Sequence, residues 1–74
     1  MEYFKKETES AIHYKMITPE FEGVRIMLRG THAVIDNICC HLSLEDYQEI
    51  TEEEFQAAYE EALSRIGRLV LVAA

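Results

Sequence analysis

Ile50-Thr51-Glu52-Glu53-Glu54-Phe55-Gln56-Ala57-Ala58-Tyr59-Glu60-Glu61-Ala62-Leu63-Ser64-Arg65-Ile66-Gly67 is the stretch from which the rest of the chain is read. Thr51 followed three residues later by Glu54 is a capping-box pattern, in which each side chain satisfies an orphan backbone N–H of the other residue. Ile50 before the cap and Phe55 at the fourth helical position are spaced for a hydrophobic staple. Phe55, Ala58, Tyr59, Ala62, Leu63 and Ile66 then recur with the period of one helix face. Glu52, Glu53 and Glu54 stand where the helix macrodipole favours anions, and Arg65 near the end that favours cations. Gly67 is placed as a left-handed stop. The pattern predicts one amphipathic helix over Glu52–Ile66.

Upstream of that helix the period changes from 3.6 to 2. Ala11–Ile17 sets Ile12, Tyr14 and Met16 on one face and His13 and Lys15 on the other. Val24–Arg29 alternates Val24, Ile26 and Leu28 with Arg25, Met27 and Arg29. Glu2–Thr8 reads as a first strand, joined to the second through a tight hairpin at Glu9-Ser10. Thr18 to Gly23 supplies Pro19 and Gly23 for the next connection, and Gly30-Thr31 the one after. His32–Leu42, rich in β-branched residues, reads as a fourth strand. Ile35, Asn37 and Cys39 compete there with Val34, Asp36, Ile38 and Cys40 for the inner face, and a bulge at Asp36-Asn37 would reconcile them. Ser43–Glu49 reads as a connector with a helical turn starting at Ser43, because Asp46 completes an S-x-x-D pattern.

Short links between strands call for antiparallel pairing, since parallel pairs need a long crossover. The expected fold is α+β: an antiparallel four-stranded meander followed by one C-terminal helix on one sheet face (β-β-β-β-α), in two layers. With 74 residues and 8.6 kDa, residues 1–74 form one small domain with a thin core. Leu69-Val70-Leu71-Val72-Ala73 and Ala74 lie beyond the expected helix stop. They are read as an edge strand, a segment packed under the sheet, or a tail exchanged across a two-fold axis in a homodimer.

Fourteen acidic residues oppose seven basic ones, for a formal charge of -7. The five acids of residues 1–29 are balanced by Lys5, Lys6, Lys15, Arg25 and Arg29. The whole excess therefore lies in residues 30–74, where nine acids meet only Arg65 and Arg68. A negative field of this kind disfavours direct binding to nucleic acid or to an anionic membrane and favours a basic protein surface. Mean hydropathy is -0.12 and no apolar run is long enough to span a bilayer. No apolar h-region follows the N-terminal Met-Glu-Tyr-Phe-Lys-Lys, so a secretory signal is not expected. Two adjacent cysteines, Cys39 and Cys40, make no disulfide framework, which points to a reducing cytoplasm.

Cys39, Cys40 and His41, with His13, His32 and Asp36, are the residues that most resemble a metal site. Tetrahedral zinc needs three or four converging ligands, and neighbouring strand residues point to opposite faces. Buried free cysteine is a common core residue, so these thiols are read as structural and no metal or other cofactor is expected. A Cys–His nucleophile needs an electropositive, partly exposed pocket, and this stretch is acidic. No catalytic residue is therefore assigned, and no P-loop, G-x-G-x-x-G, EF-hand or G-x-S-x-G pattern occurs.

The leading expectation is a non-catalytic module that binds a basic protein surface through its acidic C-terminal half or its open sheet face. Glu45, Asp46, Glu49, Glu53, Glu60 and Glu61 are its candidate partner-binding residues. Two alternatives remain. One is an acidic inhibitor of the kind phages and mobile elements use, whose carboxylates imitate phosphates at a nucleic-acid site. The other is a small Cys/His metal-binding protein.

Overall fold

A computed structural model describes residues 1–20, 22–39 and 43–73, with the backbone path alone for Cys39 and residues 68–73. Strands β1 (Glu2–Glu7), β2 (Ile12–Ile17), β3 (Glu22–Arg29) and β4 (His32–Cys39) follow one another as an antiparallel meander. A short β5 (Gln48–Glu49) then pairs with the far side of β1, and helix α1 (Glu52–Ala73) packs on one face. The sheet order is β4-β3-β2-β1-β5. The two-layer α+β architecture is the expected one.

Turn chemistry sets the register. Thr8 closes the first hairpin, its backbone N–H donating to the Ala11 carbonyl at 2.9 Å while its Oγ1 accepts the Ala11 N–H at 3.1 Å. After Thr18-Pro19, the Thr18 N–H donates to the Glu22 carbonyl at 2.7 Å. The third turn is Gly30-Thr31, and Gly30 takes a left-handed φ of 57° that glycine adopts without steric cost.

Cross-strand partners share a face, so the register sorts the side chains. Tyr3, Ile12, Tyr14, Met16, Val24, Ile26, Leu28, Ala33 and Ile35 fall on the helix side. Phe4, Lys6, His13, Lys15, Arg25, Met27, Arg29, Val34, Asp36 and Ile38 fall on the open side. This matches the alternation read in the second and third strands. Tyr14, Ile26 and Leu28 pack against Phe55, Ala58 and Ala62 of α1, and Ile26 and Ala62 are fully buried. The rings of Tyr3 and Phe55 lie 5.3 Å apart and tilted by 46°, which fixes the start of the helix over β1. Leu63, expected in the apolar stripe, is 49% exposed instead. At about 100° per residue it turns away from the line through Phe55, Ala58 and Ala62.

Four other expectations are corrected. The connector carries β5 rather than a helical turn at Ser43; Ser43 and Leu44 are irregular, and Asp46 takes a φ of 67° in the turn before the strand. The bulge at Asp36-Asn37 is absent, because β4 pairs with β3 continuously from His32 to Cys39. Its mixed pattern arises because apolar Val34 faces Met27 on the open side. Gly23 belongs to β3 rather than to the preceding loop. Finally, α1 runs to Ala73 and Gly67 is one of its interior residues, so residues 69–73 continue the helix instead of forming a strand.

The helix passes Gly67 because one interior glycine costs only about 1 kcal/mol, and no proline or other breaker follows it. A Cβ added there meets nothing within 4 Å. Gly67→Ala should therefore raise the unfolding free energy by about 0.5–1 kcal/mol in a urea titration. A left-handed stop would give the opposite sign, since alanine is strained at positive φ.

Candidate functional site

The start of α1 is fixed by its cap. Thr51 Oγ1 accepts the Glu54 N–H at 3.1 Å, and the Thr51 carbonyl accepts the Phe55 N–H at 3.2 Å. Just before it, the Ile50 N–H donates to the Tyr3 carbonyl at 2.9 Å, tying the helix entrance to the edge of β1. With Phe55, Ala58 and Ala62 turned to the sheet, the opposite face of α1 is forced outward. Glu52, Glu53, Gln56, Ala57 and Glu60 line a shallow open depression there. Glu53 and Glu60 are seven residues apart, hence nearly eclipsed and about 10.5 Å apart along the axis.

The six candidate acids do not form one ridge. Glu53 and Glu60 share the outer face of α1, and both are exposed. Glu61 is turned aside: its Oε1 takes the Arg65 Nε at 3.0 Å, and Arg65 Nη1 donates to the Gly30 carbonyl at 2.9 Å. Glu45 and Asp46 form the turn before β5, and Glu49, within β5, faces Phe4 on the open-sheet side. Among the described residues no cation pairs with Glu45, Asp46, Glu49, Glu53 or Glu60. Sequence reading missed Glu52 and Gln56 as members of the depression. Their signal was present as positions one before and three after Glu53, but the first-turn acids were fully accounted for by the macrodipole.

The open sheet face is dressed differently. β4 and β5 are opposite edges, four steps of about 4.8 Å apart, and Ser43 and Tyr47, which precede β5, lie against this face. Lys15 Nζ donates to the Ser43 carbonyl at 2.8 Å. The centroid of the Tyr47 ring lies 4.7 Å from Lys15 Nζ and 5.4 Å from Lys6 Nζ, so two ammonium groups share one aromatic ring. Arg25 forms a two-pronged pair with Asp36, at 3.1 Å for Nε–Oδ1 and 2.8 Å for Nη2–Oδ2. Burial, followed by the charges of Lys6, Arg25 and Lys15, pushes the His13 pKa below its ordinary value. Burial first, and then Lys6 and Arg25, lower that of Lys15 as well. Tyr47 was not singled out from the sequence, because a residue outside any strand or helix leaves no periodic signal.

Cys40 and His41 lie outside the described residues, as does the side chain of Cys39. Among the described residues no group of three or more His, Cys, Asp or Glu side chains is placed to hold a metal ion. Nor is any described helix long and apolar enough to cross a membrane. Comparison of the chain with protein-family models, curated proteins and solved structures finds no match.

Proposed function

We propose that this chain is a non-catalytic protein-interaction module that docks a basic protein surface against the outer face of α1. The observation that carries the reading is the exposed set Glu52, Glu53 and Glu60 around Gln56 and Ala57, with no described cation paired to Glu53 or Glu60. Unspent carboxylates on a rigid helix give a fixed pattern of negative potential that steers and orients a cationic partner. The open sheet face is the weaker candidate. Its cations Lys6, Lys15 and Arg25 are already engaged by Tyr47, Ser43 and Asp36, so a partner reaching them would have to displace internal contacts. Mimicry of a nucleic-acid backbone also draws less support, since a spacing of about 10.5 Å exceeds the roughly 6–7 Å between successive phosphates. The reading places the module in the cytoplasm, where Cys39 and Cys40 remain reduced.

Three immobilised proteins test this against a lysate of the source cell: wild type, Glu53→Gln/Glu60→Gln, and Glu9→Gln/Glu20→Gln. The last changes net charge equally at exposed acids away from α1. The expected result is a protein retained by wild type and by the Glu9/Glu20 control and lost, by about tenfold or more, from the Glu53/Glu60 variant. Its retention should also fall as salt rises from about 0.05 to 0.5 M, where the Debye length shrinks severalfold. Equal retention by both variants, or binding indifferent to salt, would refute the reading.

A further inference from the structure

The two edges of the sheet are finished in different ways. On one side the outer edge of β1 is covered at Tyr3, Phe4 and Lys5 by β5 and by the Ile50 N–H. On the other side β4 ends the sheet with eight residues in unbroken register. Across the two-residue Gly30-Thr31 turn, Arg29 and His32 form a hydrogen-bonded pair, and such pairs alternate along an antiparallel ladder. His32, Val34, Asp36 and Ile38 therefore spend their backbone groups on β3, while Ala33, Ile35 and Asn37 point theirs outward. A row of free N–H and C=O groups is a template for another strand. The usual deterrents are missing from His32–Ile38: it has no proline, no lysine and no bulge, and its one carboxylate, Asp36, is held by Arg25.

Charge says what pairs with this edge. α1 begins beside β1 and runs toward β4, where Arg65 reaches the Gly30 carbonyl in the β3–β4 turn. Glu45, Asp46, Glu49, Glu52, Glu53 and Glu54 consequently gather at the β5 and helix-start side. The β4 side carries Arg29 and two acids that are already paired, Asp36 with Arg25 and Glu61 with Arg65, so it is close to neutral. Two copies meeting edge to edge at β4 keep their acidic ends apart, whereas a generic acidic surface meeting the other edge would be repelled.

We propose that the chain forms a two-fold homodimer in which β4 pairs antiparallel with β4 of a second copy, joining both sheets into one with both helices on the same face. Facing residues must share a sheet face, which allows the axis to pass at Val34, Ile35 or Asp36. An axis at Asp36 opposes two carboxylates, and one at Val34 shortens the overlap to residues 32–36. At Ile35 the overlap runs from His32 to Ile38, the outward groups of Ile35 bond to each other, and Val34 faces Asp36 of the other copy. This assembly leaves the outer face of α1 open, so it stands independently of the docking reading above.

Sedimentation equilibrium on the full chain tests it with wild type, Val34→Asp and Val34→Lys. Val34 is 36% exposed on the open side, so both substitutions are compatible with the folded chain. Wild type should sediment at twice the chain mass of 8.6 kDa. Val34→Asp sets a carboxylate against Asp36 at two symmetric places and should weaken association by about tenfold or more. Val34→Lys pairs with the same carboxylate and should keep the dimer. A monomeric wild type at millimolar concentration overturns the proposal, as does loss of association in Val34→Lys together with Val34→Asp. Amide exchange on wild type decides the matter without any variant: the Ile35 N–H should be protected, increasingly so with concentration, and exchange at the rate of a free edge overturns it.

Discussion

Ile26→Ala should remove about 2–5 kcal/mol of unfolding free energy, the range for truncating a buried aliphatic side chain. Ile26 is fully buried and central, with Tyr14 and Ile35 beside it across the strands and α1 above. Both strands and helix are held in place around it, so the vacated volume cannot close. At about 0.05–0.15 kcal/mol per residue, a 74-residue domain has roughly 4–11 kcal/mol in total. Loss of this one side chain therefore takes a large share, and the variant should be partly unfolded at body temperature. Urea titration followed by circular dichroism measures it. Two companions calibrate the result: Ile26→Val should cost about 0.5–1.5 kcal/mol, and Leu63→Ala, at a half-exposed site, within about 0.5 kcal/mol. An Ile26→Ala loss no greater than that of Leu63→Ala would mean that the core is centred elsewhere.

That centre was readable from the chain because both signals were long. Val24, Ile26 and Leu28 alternate without interruption, and the Ile50–Ile66 stretch combines a cap, a staple and a face of matching period. Two of the places where reading failed share a cause: the deciding partner lies on another strand. β5 has two residues, too few to carry a period, and exists because the edge of β1 is there to receive it. Val34 confuses the alternation of β4 because its apolar neighbour is Met27 on the open face. Gly67 has the right identity for a stop, but nothing after it diverts the chain.

The candidate site was legible in part for the same reason. Glu53 and Glu60 follow from helix period alone, since the face opposite Phe55, Ala58 and Ala62 must be wet. Glu61 needed tertiary information, because what engages its neighbour Arg65 is the carbonyl of Gly30. Grouping Glu45, Asp46 and Glu49 with the helix acids assumed nearness from chain proximity. The sheet register instead puts Glu49 on the side facing away from α1.

Gly23→Ala is expected to destabilise by about 1–3 kcal/mol or more, as overpacking against immobile atoms does. Backbone conformation is not the obstacle, since Gly30 is the one glycine at positive φ among the described residues. Space is. Gly23 stands between Ile17 of β2 and Ile38 of β4. A Cβ there would overlap the Met16 carbonyl oxygen, come within 2.9 Å of the carbonyl carbon and within 3.3 Å of the Ile17 Cα. These are backbone atoms of the neighbouring strand, so no side-chain rotation relieves the overlap. β2 and β3 must part at that end, which stretches the 2.7 Å bond from the Thr18 N–H to the Glu22 carbonyl that closes the hairpin. Urea titration should report the loss, and amide exchange should place it, with the Thr18 N–H speeding up before the amides around Ile26. The same exchange of hydrogen for methyl thus acts in opposite directions at two glycines: favourable at Gly67, where the helix needs propensity and the space is empty, and unfavourable at Gly23, where two strands already touch. An alanine at Gly23 tolerated without loss would mean that β2 and β3 lie farther apart there than the register requires.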